Sequence, residues 1–96
     1  MELTANSIVK NRRGNVGVVM SFNKQPSLVV FSAFVTQLNK YDENGKAKNH
    51  EYDIVEVRDG KKVKNYKAVY NKTFKLEDCP LIWEGSKIPT PTLKKV

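Results

Sequence analysis

The stretch from Gly14 to Phe34 constrains this chain more than any other. It reads Gly14-Asn15-Val16-Gly17-Val18-Val19-Met20-Ser21-Phe22, then Asn23-Lys24-Gln25-Pro26, then Ser27-Leu28-Val29-Val30-Phe31-Ser32-Ala33-Phe34. Valine and phenylalanine suit a pleated, half-buried surface, and Asn with Pro punctuates a turn. The two runs hold too few charges for open solvent, so a buried antiparallel hairpin with a four-residue turn is expected. Alternation in the first arm places Val16, Val18, Met20 and Phe22 on one face and Gly17, Val19 and Ser21 on the other. Gly17 inside a strand signals a bulge or a close approach. The second arm carries large apolar groups on both faces, Leu28 and Val30 against Val29 and Phe31. That arm is expected to be covered on both sides.

Around this hairpin the other elements fall into order. Ser7-Ile8-Val9-Lys10 reads as a first strand, and Asn11-Arg12-Arg13-Gly14-Asn15 as the polar turn that follows it. Thr36 to Asn39 reads as a fraying end. Residues 40–50 form the clearest loop, with Asn44-Gly45 as its turn signal. The loop opens on Asp42 and Glu43 but lacks the alternating ligands and closing Glu of a calcium loop. Tyr52-Asp53-Ile54-Val55-Glu56-Val57 is a third long strand, and Leu81-Ile82-Trp83-Glu84 a short last one with Trp83 as a lid on the core.

After Asp59-Gly60 the chain has two options. Asp-Gly between apolar runs is a hairpin signal. Asp59 also suits the cap of a helix from Gly60 to about Asn71, in which Val63, Tyr66, Val69 and Tyr70 share a face. The helix is preferred, because as a strand the segment alternates poorly. The expected fold is therefore mainly β, of the α+β kind: a small curled antiparallel sheet of about five strands, with one helix inserted before the last. An SH3-like barrel comes first, since closure protects edges, and an open sheet with the helix on one face comes second. One domain, 1–84, and a flexible basic tail, 85–96, containing Pro89 and Pro91, complete the organisation.

Motifs along this order resemble small proteins of phages and prophages of Gram-positive bacteria. The matching residues are Lys40-Tyr41-Asp42, Tyr52-Asp53-Ile54-Val55-Glu56-Val57 and Leu81-Ile82-Trp83-Glu84, and the resemblance covers most of residues 8–84. It implies a small barrel-like fold and a phage or mobile-element setting, hence the cytoplasm of a bacterial host. It transfers no catalytic residue.

Several functions are disfavoured by residue content. The only histidine, His50, lies in a polar loop, and the only cysteine, Cys79, precedes a proline, so no nucleophile–base pair is in view. One His and one Cys cannot close a zinc site, and no glycine loop with a Lys-Ser/Thr ending is present. No enzyme, metal or cofactor is expected. A lone cysteine excludes an intramolecular disulfide and fits a reducing cytoplasm. No apolar run is long enough to span a bilayer, and the opening Met1–Asn6 has no basic patch followed by an apolar stretch, so neither a membrane span nor a signal peptide is expected.

Charge points elsewhere. The chain carries a net charge of +7, and residues 61–75 hold Lys61, Lys62, Lys64, Lys67, Lys72 and Lys75 with no acid. Lysines neutralise phosphates as point charges, and Tyr66 and Tyr70 among them either stack on bases or form the buried face of the helix. Arg12 and Arg13 extend the patch if the fold brings turn and helix to one side, although arginine forks recognise carboxylates equally well. The expected partner is nucleic acid, or an acidic or nucleic-acid-handling host protein. An inhibitor of a host defence enzyme such as a CRISPR effector is the alternative, and a self-pairing assembly protein the third. Asp53, Glu56 and Asp59 are expected to pair with neighbouring lysines.

Overall fold

The computed structural model describes residues 3–85. Six strands form one antiparallel sheet: β1 (Ser7–Asn11), β2 (Val16–Phe22), β3 (Gln25–Phe31), β4 (Val35–Gln37), β5 (Ile54–Asp59) and β6 (Leu81–Glu84). Their order across the sheet is β4-β3-β2-β1-β5-β6. The sheet does not close, so the expected barrel is corrected to an open sheet whose edges are β4 and β6. The expected basic tail lies outside the described residues apart from Gly85. Among the described residues no helix is long and apolar enough to cross a membrane.

The hairpin forms with a tighter turn than its composition suggests. Asn23 and Lys24 both take positive φ, 51° and 66°, and Phe22 faces Gln25. Two consecutive left-handed residues match the twist of the flanking strands. Gln25 and Pro26 therefore belong to β3. A register shift between Met20 and Ser21 leaves Ser27 without a partner residue on β2, and Pro26, which cannot donate to the ladder, faces Ser21. At Gly17 a Cβ would stand 2.9 Å from the Phe31 ring and from Val29. The glycine is thus a close-approach site, filled from across the strand pair by those side chains.

The sixth strand arises because the apolar run 27–35 is not continuous. The chain reverses over 32–34, with the Phe31 N–H donating to the Phe34 carbonyl at 2.8 Å. Small Ser32 and Ala33 permit this turn, and Phe34 folds back to stack on Phe31 with ring centroids 4.6 Å apart. Val35 then starts β4 opposite Val30.

Alternation along the strands builds two cores, one on each face. On the first, Val9, Val19, Val29, Phe31, Ile54 and Val57 are buried, with Leu3, Leu38, Tyr41 and Trp83 packed against them. On the second, Ile8, Val18, Val69 and Cys79 are buried, flanked by Val16, Met20, Val63, Tyr66, Tyr70, Phe74 and Leu76. Residues 60–80 supply most of the second core, as a crossover from the end of β5 across β2 and back to β6.

That crossover contains no α-helix, which corrects the expected helix from Gly60 to Asn71. Its regular pieces are short 3-10 turns at Tyr66–Tyr70 and Leu76–Asp78. The Asp59 side chain does accept from the Lys61 N–H, at 2.9 Å, but only one turn follows, closed by Val63 N–H on the Gly60 carbonyl. Asn65 is extended, and its side chain takes the Lys67 N–H. Three physical costs explain the break: lysines three apart repel, valines lose rotamer freedom in a helix, and Asn65 offers the backbone a competing bond. A helix of about a dozen residues is marginal before these costs are counted. Gly60 is where the chain leaves the sheet; a Cβ there would lie 2.3 Å from the Asn6 carbonyl oxygen.

Candidate nucleic-acid interface

The crossover turns its apolar side chains onto the sheet and its lysines outward. Val69 is buried, and Val63, Tyr66, Tyr70, Phe74 and Leu76 are half-buried, whereas Lys61, Lys62, Lys64, Lys67, Lys72 and Lys75 are all exposed. The ion pairs seen among the described residues engage Arg12, Arg13, His50 and Arg58, and none of these six lysines. Tyr66 and Tyr70 meet edge to face at 6.3 Å, and the Tyr70 hydroxyl donates to the Val30 carbonyl. Burial pushes the Tyr70 phenol above its ordinary value. Both tyrosines thus serve the second core, which leaves the lysines as the chemistry of this surface.

A second anchor holds the crossover where it returns. Arg58 donates through Nη1 to the Cys79 carbonyl at 2.8 Å and through Nε to buried Glu56 at 3.2 Å. Cys79 is itself buried, and burial raises its thiol above the ordinary value. Glu56 therefore pairs with arginine and Asp53 with Arg12, where lysine partners were expected.

Arg12 and Arg13 lie at the β1–β2 turn and differ sharply. The Arg12 side chain is 15% exposed, and its Nη1 donates to Asp53 Oδ2 at 2.9 Å and to the His50 carbonyl. Asp53, only 2% exposed, also accepts the Ala47 N–H at 2.8 Å and stands 3.2 Å from His50 Nδ1 through each oxygen. The Arg12 N–H closes on the Asp53 carbonyl as well. One carboxylate thus ties the turn, the 41–53 loop and the start of β5 together. Arg13 instead lies half exposed, on Glu51 at 2.9 Å and over the Tyr52 ring at 5.5 Å.

Asp42 organises the other half of that loop. Its Oδ1 accepts from the Asn44 and Lys46 N–H groups, and these bonds hold its carboxyl below the ordinary value of 3.8. Gly45, at φ 78°, makes the turn expected there. A hollow of about 310 Å³ opens nearby between Leu3, Pro26, Leu38, Tyr41, Asp42 and Glu43. No group of three or more His, Cys, Asp or Glu residues able to hold a metal occurs among the described residues.

The sequence did not point to the Arg12–Asp53 corner or to the ring series Phe31–Phe34–Tyr52 that runs beneath Arg13. Asp53 was readable only as one more strand carboxylate, and 41 positions separate it from Arg12. Phe34 and Tyr52 lie just outside strands, where side-chain alternation carries no information. No family model, curated protein or solved structure matches this chain.

Proposed function

We propose that this chain is a non-enzymatic binding module that engages nucleic acid, or a nucleic-acid-bound machine, through the lysines of the crossover. One observation carries this: six exposed lysines and no acid occupy a segment whose apolar side chains are turned into the core. Lysines on flexible stems match phosphate spacing without reading bases, so affinity is sequence-tolerant and salt-dependent. Arg12 stands apart from this surface, because its guanidinium serves Asp53. Anisotropy titration of a labelled DNA duplex tests the proposal. Binding at low salt should weaken steeply toward moderate salt, and Lys61/Lys62/Lys64→Gln should weaken it about tenfold further at fixed salt. No binding at low salt contradicts it.

The open edges favour one second reading, a self-assembling component. Val35 on edge strand β4 is 57% exposed and Ile82 on edge strand β6 is 54% exposed. Edge strands that carry exposed apolar side chains can template strand addition. Light scattering separates the two: growth of mass with concentration favours assembly, and a constant monomer mass argues against it.

A further inference from the structure

We propose that the hollow beside Pro26 and Leu38 is the contact of a two-fold dimer, and that its occupant is the β2–β3 hairpin tip of a second copy of this chain. Such a dimer is independent of nucleic-acid binding. Two hollows meet along one side of the molecule. One, of about 310 Å³, lies between Leu3, Pro26, Leu38, Tyr41, Asp42 and Glu43. The other, of about 470 Å³, has Phe22, Pro26 and Leu38 in its wall. Pro26 and Leu38 belong to both, so they form the middle of one continuous patch, with Phe22 toward one end and the two carboxylates at the other.

The two ends are complementary. Among the described residues Phe22 is the most exposed large apolar side chain, at 59%. Lys24, two positions on, is exposed and takes part in none of the ion pairs seen there. The tight turn at Asn23 and Lys24 puts this ring and this cation on a short, ordered projection. At the other end Leu3, Leu38 and Tyr41 are half-buried and packed against the first core, which makes a fixed apolar floor. Asp42 and Glu43 stand exposed at its rim.

A two-fold axis turns this polarity into a pairing. An isologous contact sets residue i on residue j and j on i. Each copy's Phe22 then meets the other's apolar floor, and each Lys24 meets the other's Asp42 and Glu43. A foreign partner would have to supply the same projection, whereas this chain already carries both halves. Burial of an exposed phenylalanine ring supplies attraction, and the ion pairs fix the register. The contact closes on itself, so association stops at two copies, unlike strand addition at the β4 and β6 edges. Its floor belongs to the first core and the crossover covers the second, so floor and crossover lie on opposite faces of the sheet.

Sedimentation equilibrium from about 1 µM to about 1 mM, in about 0.15 M salt to screen the net charge of +7, tests the dimer. The mass should rise to twice that of one chain and stop there. Phe22→Thr, which keeps strand preference and removes the ring, should weaken the dimer at least about tenfold. Lys24→Glu should weaken it about tenfold, and Lys24→Glu combined with Glu43→Lys should recover most of that loss, because the swap restores opposite charges at both contacts. Thermal melting checks that the variants fold, and the charge variants, at exposed turn and loop positions, carry the test if Phe22→Thr does not. A monomer throughout the range, growth beyond two copies, or a dimer indifferent to both Phe22→Thr and Lys24→Glu overturns the proposal. A double variant as weak as Lys24→Glu alone overturns it too.

Discussion

Two cationic regions of this small sheet use positive charge in opposite ways. At the β1–β2 turn, Arg12 is almost enclosed and its guanidinium is matched to a carboxylate that is enclosed further. On the crossover, the lysines stand in solvent while the valines and tyrosines between them make the contacts. The arginine corner converts charge into geometry, fixing where the loop 41–53 meets β1 and β5. The crossover lysines take no part in the ion pairs that fix the geometry and offer their charge to the surroundings. Arginine suits the first task through its planar fork, and lysine the second through its compact, well-hydrated ammonium. Charge alone, as counted from composition, does not separate these roles; burial does.

Removing the anion from the arginine corner should have the largest effect. Asp53→Ala leaves the Arg12 charge enclosed without its carboxylate and strips the Ala47 N–H of its acceptor, which should cost about 3–5 kcal/mol. Urea denaturation reads this as a lower midpoint. A loss below about 1 kcal/mol would place Asp53 among ordinary surface pairs.

The crossover should break more gently and through packing. Val69→Ala removes two buried methyl groups from the second core and should cost roughly 2 kcal/mol. Tyr70→Phe keeps the ring and leaves the Val30 carbonyl without its hydroxyl donor, at about 1 kcal/mol. Both belong to thermal or urea unfolding. Replacing the exposed lysines, by contrast, should change stability by no more than about 0.5 kcal/mol.

The smallest effect expected is electrostatic and confined to acid. Backbone N–H groups from Asn44 and Lys46 hold the Asp42 carboxyl below its ordinary value. A depressed carboxylate contributes stability that is fully present above the unfolded value and is lost as pH falls through the folded one. Asp42→Asn should flatten the pH dependence of stability only below about pH 4. A carboxyl NMR titration with a midpoint at or above 3.8 would contradict the cause assigned here.

The sheet was legible in the sequence where alternation was strong. Val16–Phe22 and Leu81–Glu84 form strands with the bounds their apolar pattern gives, the Ser7–Lys10 strand runs on to Asn11, and along β3 Val29 is buried in the first core while its neighbour Val30 is half-buried. The turn over 32–34 was hidden because Phe34 is apolar on the outside of a turn, which extends the strand pattern past its true end. The helix was misread because Val63, Tyr66, Val69 and Tyr70 do share a side, as periodicity says, but in a 3-10 turn and an extended segment. Six lysines were legible as a surface from their lack of acids. The roles of Arg12 and Phe34 were not, since both depend on contacts set by the fold: a distant carboxylate for one and a turn for the other.

The salt dependence of binding to a DNA duplex, counted lysine by lysine, tests the central claim most directly. If the crossover lysines neutralise one phosphate each, a plot of log affinity against log salt should have a slope near about −5, and each lysine replaced by glutamine should reduce it by about 1. Arg13→Gln should leave that duplex slope unchanged. A shallow slope that ignores the lysines, or one that falls only when Arg13 is replaced, would contradict the division of labour between the two regions.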